Sequence, residues 1–293
     1  MRCNLDGSDL ELVAWGLRNP YGLTFLRDGR LLATEQGADA RGSRPVWNCP
    51  DFLYEIHEGA WYGWPDFFGG QPITDDRFTR PDHTRQEFVL ANHQELPPPR
   101  KPLMEFQVNA CATKFVELQG KYESTLLVAL FGDERPLTGP AGAHVGRTLV
   151  RVSTSDWSLH ETPPFPFMRP LDVAVDSSGN LYVVDFGRFD IRPDKGIAAA
   201  AGSGCLWKFP LDFLEPQPIM PVSFSTDILP ILRQFRGSML WRLDLTRYDH
   251  VKAKAELIYG QISQHAMPPP PYPPLTDSEI NMFKRWMQSG CSP

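Results

Sequence analysis

A pattern repeated at an offset of 150 residues constrains the fold of this chain most. The stretch NPYGLTFLRDGRLLATEQG matches RPLDVAVDSSGNLYVVDFG, with Pro20 aligned to Pro170. Each stretch has two apolar runs, rich in β-branched and aromatic side chains, around an Asp-Gly or Ser-Gly turn. Such turns favour hairpins because glycine tolerates a positive φ. The repeat therefore predicts two equivalent β-hairpins, over 21–36 and 172–186.

The repeated unit extends to a third copy and a third strand. The stretch STLLVALFGD repeats the second half of the pattern, and each copy is followed by another short strand candidate, FLYEIHEG, RTLVRVS or CLWKFPL. Small antiparallel sheets repeated in this way are typical of a β-propeller, which usually closes with 4 to 8 blades. Because only three units are readable, we expect a propeller that is N-terminally incomplete or an open half that needs a partner surface.

The pattern becomes helical after a proline-rich segment at 212–223. Thr276 and Glu279 form a capping box, apolar residues then follow with helical spacing, and Gly290 stands where that helix would end. The stretch YDHVKAKAELIYGQI also predicts one amphipathic helix. We therefore divide the chain into a propeller region at 1–211, a linker at 212–223 and a helical domain at 224–293.

Charge and composition exclude several classes of partner. The formal net charge is −6 and basic residues are scattered, which argues against a nucleic-acid partner. No apolar run approaches the roughly 20 residues of a membrane span, and the first residues lack a signal-peptide pattern. The five cysteines are odd in number and far apart, so they predict no metal clip and no complete disulfide framework.

The loop Glu35–Asp39 after the second apolar run is a candidate ligand site. It combines carboxylate, amide and backbone oxygens with a glycine that permits close approach of the backbone. Oxygen ligands suit a hard cation or a polar ligand at a propeller rim. The alternative is a simple turn with a solvated cap.

Three stretches resemble the soluble glucose/sorbosone dehydrogenase family. They are GLRNPYGLTFLRDGRLLATEQGAD, LYEIHEGAWYGWPDFFGG and LYVVDFG followed by GCLWKF. The resemblance covers roughly residues 1–210. It implies about half of a six-bladed β-propeller that oxidises sugars with pyrroloquinoline quinone (PQQ) and calcium. The fold class expected is thus mainly β, a partial six-bladed β-propeller with a small C-terminal α-helical domain.

The resemblance also implies roles for individual residues. Asn19 and Gln36 match side chains that contact the quinone, and the carbonyls of Gly37 and Ala38 match calcium ligands. Arg169 matches an arginine over the cofactor, where a planar guanidinium suits carboxylates. The equal alternative for Arg169 is a structural arginine at the start of a strand.

The chain departs from the family at several catalytic positions. The family's second arginine falls on Leu171, and its cofactor lysine falls near Gly132. The catalytic histidine belongs to a blade that this chain lacks, so no catalytic residue is assigned. The histidines that do not match it are His57, His83, His93, His144 and His160.

The tail resembles the cytochrome c domains that are often fused to such enzymes. Its last stretch resembles a methionine loop and a closing helix, with Met267 at the position of the axial ligand. No Cys-x-x-Cys-His motif follows Leu232, so we expect no covalent haem. A structural loop methionine is the preferred interpretation of Met267.

The leading functional hypothesis is a PQQ-dependent sugar (aldose) dehydrogenase-like protein, either truncated or degenerate, with a periplasmic or extracellular location implied by the family. One alternative is a non-catalytic propeller that binds carbohydrate or protein. Another is a lactonase-type hydrolase that uses a metal held by Glu35, Asp39 and Asp185.

Overall fold

The computed structural model divides into two compact units, Met1–Glu215 and Pro216–Pro293. It describes residues 1–82, 86–134, 143–192, 196–215, 222–233, 235–239, 243–264, 266–268, 272 and 275–293. The boundary between the units falls within the predicted linker, of which residues 216–221 lie outside the described residues.

The first unit consists mainly of short strands joined by loops. Numbered along the chain, the strands are β1 (Pro20–Phe25), β2 (Leu31–Glu35), β3 (Phe52–Glu55), β4 (Phe67–Phe68), β5 (Gln71–Pro72), β6 (Met104–Glu105), β7 (Ala112–Glu117), β8 (Thr125–Leu130), β9 (Thr148–Ser153), β10 (Leu159–Glu161), β11 (Pro170–Val175), β12 (Asn180–Asp185), β13 (Phe189–Arg192), β14 (Gly196–Ala199) and β15 (Cys205–Pro210).

These strands form three main antiparallel sheets. Sheet 1 has the order β1-β2-β3-β6, sheet 2 the order β7-β8-β9-β10, and sheet 3 the order β11-β12-β15, while β4-β5 and β13-β14 are separate two-stranded ribbons. The three repeated units predicted from the sequence are thus confirmed as antiparallel sheets, and the chain is mainly β. Within the described residues none of the sheets closes on itself, and the partial propeller stays a prediction.

The first two strands of each sheet share one register. Pro20 pairs with Glu35 in sheet 1, and Pro170 pairs with Asp185 in sheet 3, at the offset seen in the sequence. The pairing of Ala112 with Leu130 is equivalent in sheet 2. In all three sheets a register shift follows this first pair, so each first strand has a bulge at its start.

The three sheets stack face to face. We call the face of a sheet that points toward the preceding sheet its upstream face and the opposite face its downstream face. In sheet 1 the upstream face is the one opposite the contact with sheet 2. The upstream face of sheet 2, with Phe115, Leu126 and Val128, packs in one core with Leu32 and Leu53 of sheet 1. The upstream face of sheet 3, with Val173, Leu181 and Val183, packs in another core with Leu127 and Ala129 of sheet 2. Sheet 2 is therefore buried on both faces.

The second unit is helical. Its α-helices are α1 (Leu229–Arg233), α2 (Arg236–Met239), α3 (Tyr248–Ala253), α4 (Ala255–Ser263) and α5 (Asp277–Gln288), and a π-helix precedes α1 at Phe224–Ile228. The capping box of α5, in which the Thr276 hydroxyl accepts from the amide of Glu279, confirms the predicted start of that helix. No helix among the described residues is long and apolar enough to cross a membrane.

The single helix expected from YDHVKAKAELIYGQI is wrong. The helix is interrupted between α3 and α4 at Lys254, whose φ of −121° and ψ of 16° lie outside the helical range. The amide of Lys254 donates to the carbonyl of Val251, which closes the last turn of α3. Val251 and Ile262, one on each side of the break, both lie in the core of the unit.

Candidate functional site

The candidate site lies where strands of neighbouring sheets end and begin. The loop after β2 contacts the residues before β7, and the loop after β8 contacts Arg169, just before β11. These contacts follow from the shared register, because equivalent loops leave equivalent sheets at the same edge. We call the group formed by Arg18, Asn19 and the Glu35–Asp39 loop the rim cluster.

Asn19 and Gln36, the two residues predicted to contact a quinone, lie together in the rim cluster. The side-chain amide of Asn19 donates to Oε1 of Gln36 at 2.8 Å, and the backbone amide of Gln36 donates to the carbonyl of Asn19 at 3.2 Å. Gln36 Nε2 in turn lies 3.1 Å from the sulfur of Cys111, which precedes β7. The amide pair is therefore fixed between two sheets.

Gly37 and Ala38, the predicted calcium ligands, follow in a tightly packed turn. The amide of Gly37 donates to Asp51 Oδ1 at 2.8 Å. A Cβ at Gly37 would lie 2.3 Å from the carbonyl oxygen of Pro50, so only glycine fits there. Burial raises the pKa of the Cys49 thiol to about 12, and the backbone amide of Ala38 opposes that rise. The glycine is thus required by backbone packing, whereas the sequence argument assigned it to a ligand.

Arg18 is a member of the cluster that sequence reasoning missed. Its Nη1 donates to the carbonyl of Gly37 at 3.0 Å, and its Nη2 lies 3.6 Å from Asp39. A guanidinium therefore already lies beside one of the carbonyls predicted to bind calcium. Its position next to Asn19 was the only signal in the sequence.

Two buried carboxylates support the rim cluster. Oε1 of Glu35 accepts from the amides of Arg18 and Asn19 at 2.5 and 3.1 Å. Its Oε2 is buried and has no hydrogen-bond partner among the described residues. Burial raises the pKa of Glu35 to about 7, and burial also raises the pKa of Asp51 to about 6 although Asp51 accepts two backbone amides.

Arg169 is buried and engaged with the loop after β8. Its Nη1 donates to the carbonyls of Phe131 and Gly132 at 3.1 and 2.7 Å, its Nη2 forms an ion pair with Glu134, and its guanidinium lies over the Phe131 ring. Burial raises the pKa of the Cys111 thiol to about 12, and Arg169 opposes that rise. Cys111 thus contacts Gln36 and is also close enough to Arg169 for the guanidinium charge to act on its thiol.

The carboxylates considered for a hydrolase are used differently. Asp185 accepts from the amides of Met168, Arg169 and Gly187, and Asp39 forms ion pairs with Arg18 and Arg41. Across the part of the chain that the structure describes, no group of three or more His, Cys, Asp or Glu side chains could hold a metal ion. Glu35, Asp39 and Asp185 therefore do not form a carboxylate cage.

The histidines are dispersed. His57 lies near Glu55, His160 contacts Ser158 on an exposed strand, and His83 lies outside the described residues. His93 begins a short 3-10 helix. His144 differs from the others because its Nδ1 lies 3.0 Å from Oδ1 of the fully buried Asp133, in the same loop that contacts Arg169.

In the helical unit, Met267 is half-buried and lines a cavity of about 450 Å³ between α1 and α4. The cavity is mainly apolar, with Leu232 and Ile262 among its lining residues. The methionine has a packing role there, consistent with the structural interpretation.

The hydrogen-bond donors and acceptors of the rim cluster are of the types that a polar planar ligand would need. The amides of Asn19 and Gln36 offer both donors and acceptors, and Oε2 of Glu35 is an orphaned acceptor. The carbonyls of Gly37 and Ala38 belong to the oxygen class that binds hard cations. Leu171 and Gly132 supply no cation, but Arg18 and Arg169 lie at this edge of the sheets. Arg41, which pairs with Asp39, and Arg147, which lies near Glu134, are also there.

Comparison with known proteins identifies one repeat and several structural neighbours. The NHL repeat pattern matches residues 167–192. No curated protein shows a significant match.

The solved structures that resemble the chain include three sugar dehydrogenases. They are the PQQ-bound aldose sugar dehydrogenase of Streptomyces coelicolor (18% identity, TM-score 0.42, covering 70% of this chain and 46% of that one), the apo form of the soluble aldose sugar dehydrogenase of Escherichia coli (16%, 0.39, 62% and 46%) and a glucose dehydrogenase of Thermus thermophilus (20%, 0.42, 68% and 47%). The chain thus spans less than half the length of these proteins.

Proposed function

We propose that the first unit is part of a PQQ-dependent sugar dehydrogenase-like β-propeller and that the rim cluster binds the quinone with a calcium ion. The observation that carries the proposal is the fixed amide pair of Asn19 and Gln36. The adjoining Glu35 has a buried oxygen, Oε2, for which the described residues supply no hydrogen-bond partner. A buried acceptor without a partner is costly, and a polar ligand or cation at the cluster would relieve that cost.

Each residue of the cluster has a defined part in this proposal. Asn19 and Gln36 hold the edge of the quinone, and the carbonyls of Gly37 and Ala38 hold the cation. Arg169 orders the neighbouring loop. A quinone held there would supply the hydride acceptor for oxidation of a sugar hydroxyl, and the hydroxyl proton would pass to a base.

Arg18 sets a condition on cation binding. Its guanidinium lies against the carbonyl of Gly37, so a calcium ion at that oxygen has to displace it. Repulsion between the two cations weakens binding in the native chain. Replacing Arg18 with glutamine should therefore strengthen calcium binding, even though it removes a positive charge near the quinone carboxylates.

Turnover by the isolated chain should be far below that of a complete sugar dehydrogenase. General-base catalysis is typically worth about 10²–10⁴-fold, and no histidine matches the family's base. Dye-coupled oxidation of glucose with added quinone and calcium measures this directly. A rate close to that of complete enzymes would contradict the proposed loss of catalytic competence.

Thermal melting tests the binding site. Calcium, quinone and both together are added to the native chain, to Gln36→Ala and to Arg18→Gln. Ligands that bind only the folded state raise the melting temperature. We expect a shift with both ligands in the native chain, a larger calcium shift in Arg18→Gln and no quinone shift in Gln36→Ala.

The matched control is Gln119→Ala, which removes an exposed glutamine from a loop between β7 and β8. It should keep the native response. A native chain that shows no shift under any condition would leave the loop as a turn and reject the proposal.

A non-catalytic carbohydrate-binding or protein-binding propeller is the second candidate. It is favoured by the engagement of Arg18 with Gly37 and of Arg169 with Glu134, because both cations already have protein partners. Sugar binding measured by calorimetry without quinone or calcium would support it over the dehydrogenase.

The dehydrogenase proposal includes a sugar as the substrate and a periplasmic or extracellular location for the protein. Fractionation of cells that express the native gene tests the location. Recovery of the protein only from the cytoplasm would reject it.

A further inference from the structure

The upstream face of sheet 1 is apolar but has no sheet packed on it. Its Leu23 occupies the position of Phe115 in sheet 2 and of Val173 in sheet 3, since all three pair with equivalent residues of the second strand. Phe115 and Val173 are 4% and 5% exposed, whereas Leu23 is 60% exposed. An aliphatic side chain thus remains in water where the repeat buries its counterparts.

The opening is confined to the β1 and β2 side of this face. Phe25, two residues after Leu23, is 71% exposed, and both line a groove of about 740 Å³. On the β3 side, Tyr54 is covered by aromatic residues of the segment between β3 and β6, including Tyr62 and Phe68. Leu23 and Phe25 thus form an apolar strip in this groove. Its lining also includes the charged residues Arg2, Asp28, Arg30, Glu55 and Glu58.

The downstream face of sheet 3 is exposed in the complementary way. Val184 occupies the position of Thr34 in sheet 1 and Ala129 in sheet 2, both of which are fully buried by the next sheet. Val184 is 41% exposed, and Leu206, its pairing partner on β15, is 62% exposed. Among the described residues, no sheet thus packs on the upstream side of sheet 1 or on the downstream side of sheet 3.

We propose that these two surfaces bind each other between two copies of this chain, with sheet 3 of each copy packed on sheet 1 of the other. Two copies then supply six sheets, which lies within the 4 to 8 blades of closed propellers. A head-to-tail interface that closes after two copies gives a symmetric dimer with two identical contacts. The occupant of each face is a sheet of the same repeat, as in the two sheet-to-sheet contacts already present.

This inference rests on the propeller part of the proposed function and is independent of the quinone chemistry. The experiment measures association without calcium or quinone. Failure to dimerise therefore leaves the melting tests of the rim cluster unaffected, and failure of those tests leaves the dimer unaffected.

The test is the mass of the full chain in solution, measured by light scattering and by sedimentation over a range of concentrations. We expect a dimer of twice the 33.1 kDa chain. Phe25→Glu and Leu206→Glu, one on each face, should each weaken the dimer by about 100-fold or more, because a carboxylate would be buried without a partner. Leu159→Glu, on the exposed edge strand β10, is the matched control and should remain dimeric.

Mixing the two face variants distinguishes a head-to-tail contact from other contacts. Leu206→Glu retains an intact upstream face and Phe25→Glu retains an intact downstream face, so the mixture can form one native contact. We expect the mixture to dimerise more strongly than either variant alone. A native chain that is monomeric at all concentrations, an open-ended polymer, or a Leu206→Glu variant that dimerises like the native chain would each overturn the proposal.

Discussion

The hairpins of sheets 1 and 3 place a carboxylate at the same point and use it differently. In sheet 3, Oδ1 of Asp185 accepts from the amides of Arg169 and Gly187, and Oδ2 accepts from Met168 at 2.8 Å. In sheet 1, Oε1 of Glu35 accepts from the backbone amides of Arg18 and Asn19. Its Oε2 is buried and has no hydrogen-bond partner among the described residues.

The difference shows that the two repeated edges use their carboxylates to different extents. Asp185 closes its edge with protein donors, and the indole of Trp207 lies 3.4 Å from it as a further donor. Glu35 is one methylene longer and leaves an acceptor unused beside Asn19 and Gln36. The edge of sheet 1 is therefore the one that can accept a ligand without losing an existing bond of its carboxylate.

The largest effect should come from removing the carboxylate of sheet 3. Asp185→Ala leaves the amides of Met168, Arg169 and Gly187 without their acceptor, and we expect a loss of about 3–5 kcal/mol in the free energy of unfolding. Urea denaturation measures it. Glu35→Ala should cost less, because it also removes a buried charge; an equal or larger cost would break the comparison.

A smaller effect is expected in how the free energy of unfolding depends on pH, because of the buried carboxylate of Glu35. The pKa of Glu35 is raised to about 7 in the folded state from an ordinary value of 4.5, so the folded state binds more protons between these values. The free energy of unfolding then falls as pH rises through that window, by up to about 3 kcal/mol. Glu35→Gln should flatten this fall and be more stable than the native chain above pH 7.

The fall will not vanish completely, because Asp51 contributes in the same direction with a pKa of about 6. Denaturation from pH 4 to 8 checks the prediction. Glu161→Gln, on an exposed strand, is the control for loss of one negative charge. Parallel profiles for the native chain and Glu35→Gln would contradict burial as the cause.

Thr34 should show a further difference between equivalent positions. Its hydroxyl donates to the carbonyl of Thr113 in sheet 2 and accepts from the amide of Gly22, whereas sheet 3 has Val184 at this position. Thr34→Val should cost about 1–2 kcal/mol, since it removes two buried hydrogen bonds. Val184→Thr is the converse variant and should be nearly neutral at concentrations where the chain is monomeric, because its side chain is exposed in a single copy.

The smallest effect on stability should come from the amide pair itself. Gln36→Ala removes the bond to Asn19 at the protein surface, and we expect a cost below about 1 kcal/mol. Chemical denaturation beside Gln119→Ala measures it. A much larger cost would mean that the pair is structural and would weaken its assignment as a ligand contact.

The sequence predicted the parts of this molecule that depend on neighbouring residues. The hairpins, their turns and the capping box of α5 are local patterns, and each was confirmed. The break at Lys254 was missed because neither glycine nor proline marks it, and the spacing of Val251 and Ile262 also fits one continuous helix.

The candidate site was predicted only in part for the same reason. Asn19 and Gln36 could be named from a motif, but the role of Asp51 depends on amides at Gly37 and at Ala112, which is 61 residues away in the chain. The contact of Arg18 with the Gly37 carbonyl likewise depends on how the loop folds back. Such contacts leave no periodic signal in the sequence.

Because sheet 2 is buried on both faces, the strands of the first unit should differ in how readily they unfold locally. Each sheet contacts only its neighbours, so the order of opening follows from the number of neighbours a sheet has. In a single copy, residues Leu126–Leu130 of β8 are all buried, whereas each outer sheet has one face on which the described residues place no further sheet. The amides of β8 should therefore exchange with solvent deuterium most slowly, and fraying should start at β1 and β15 and advance inward.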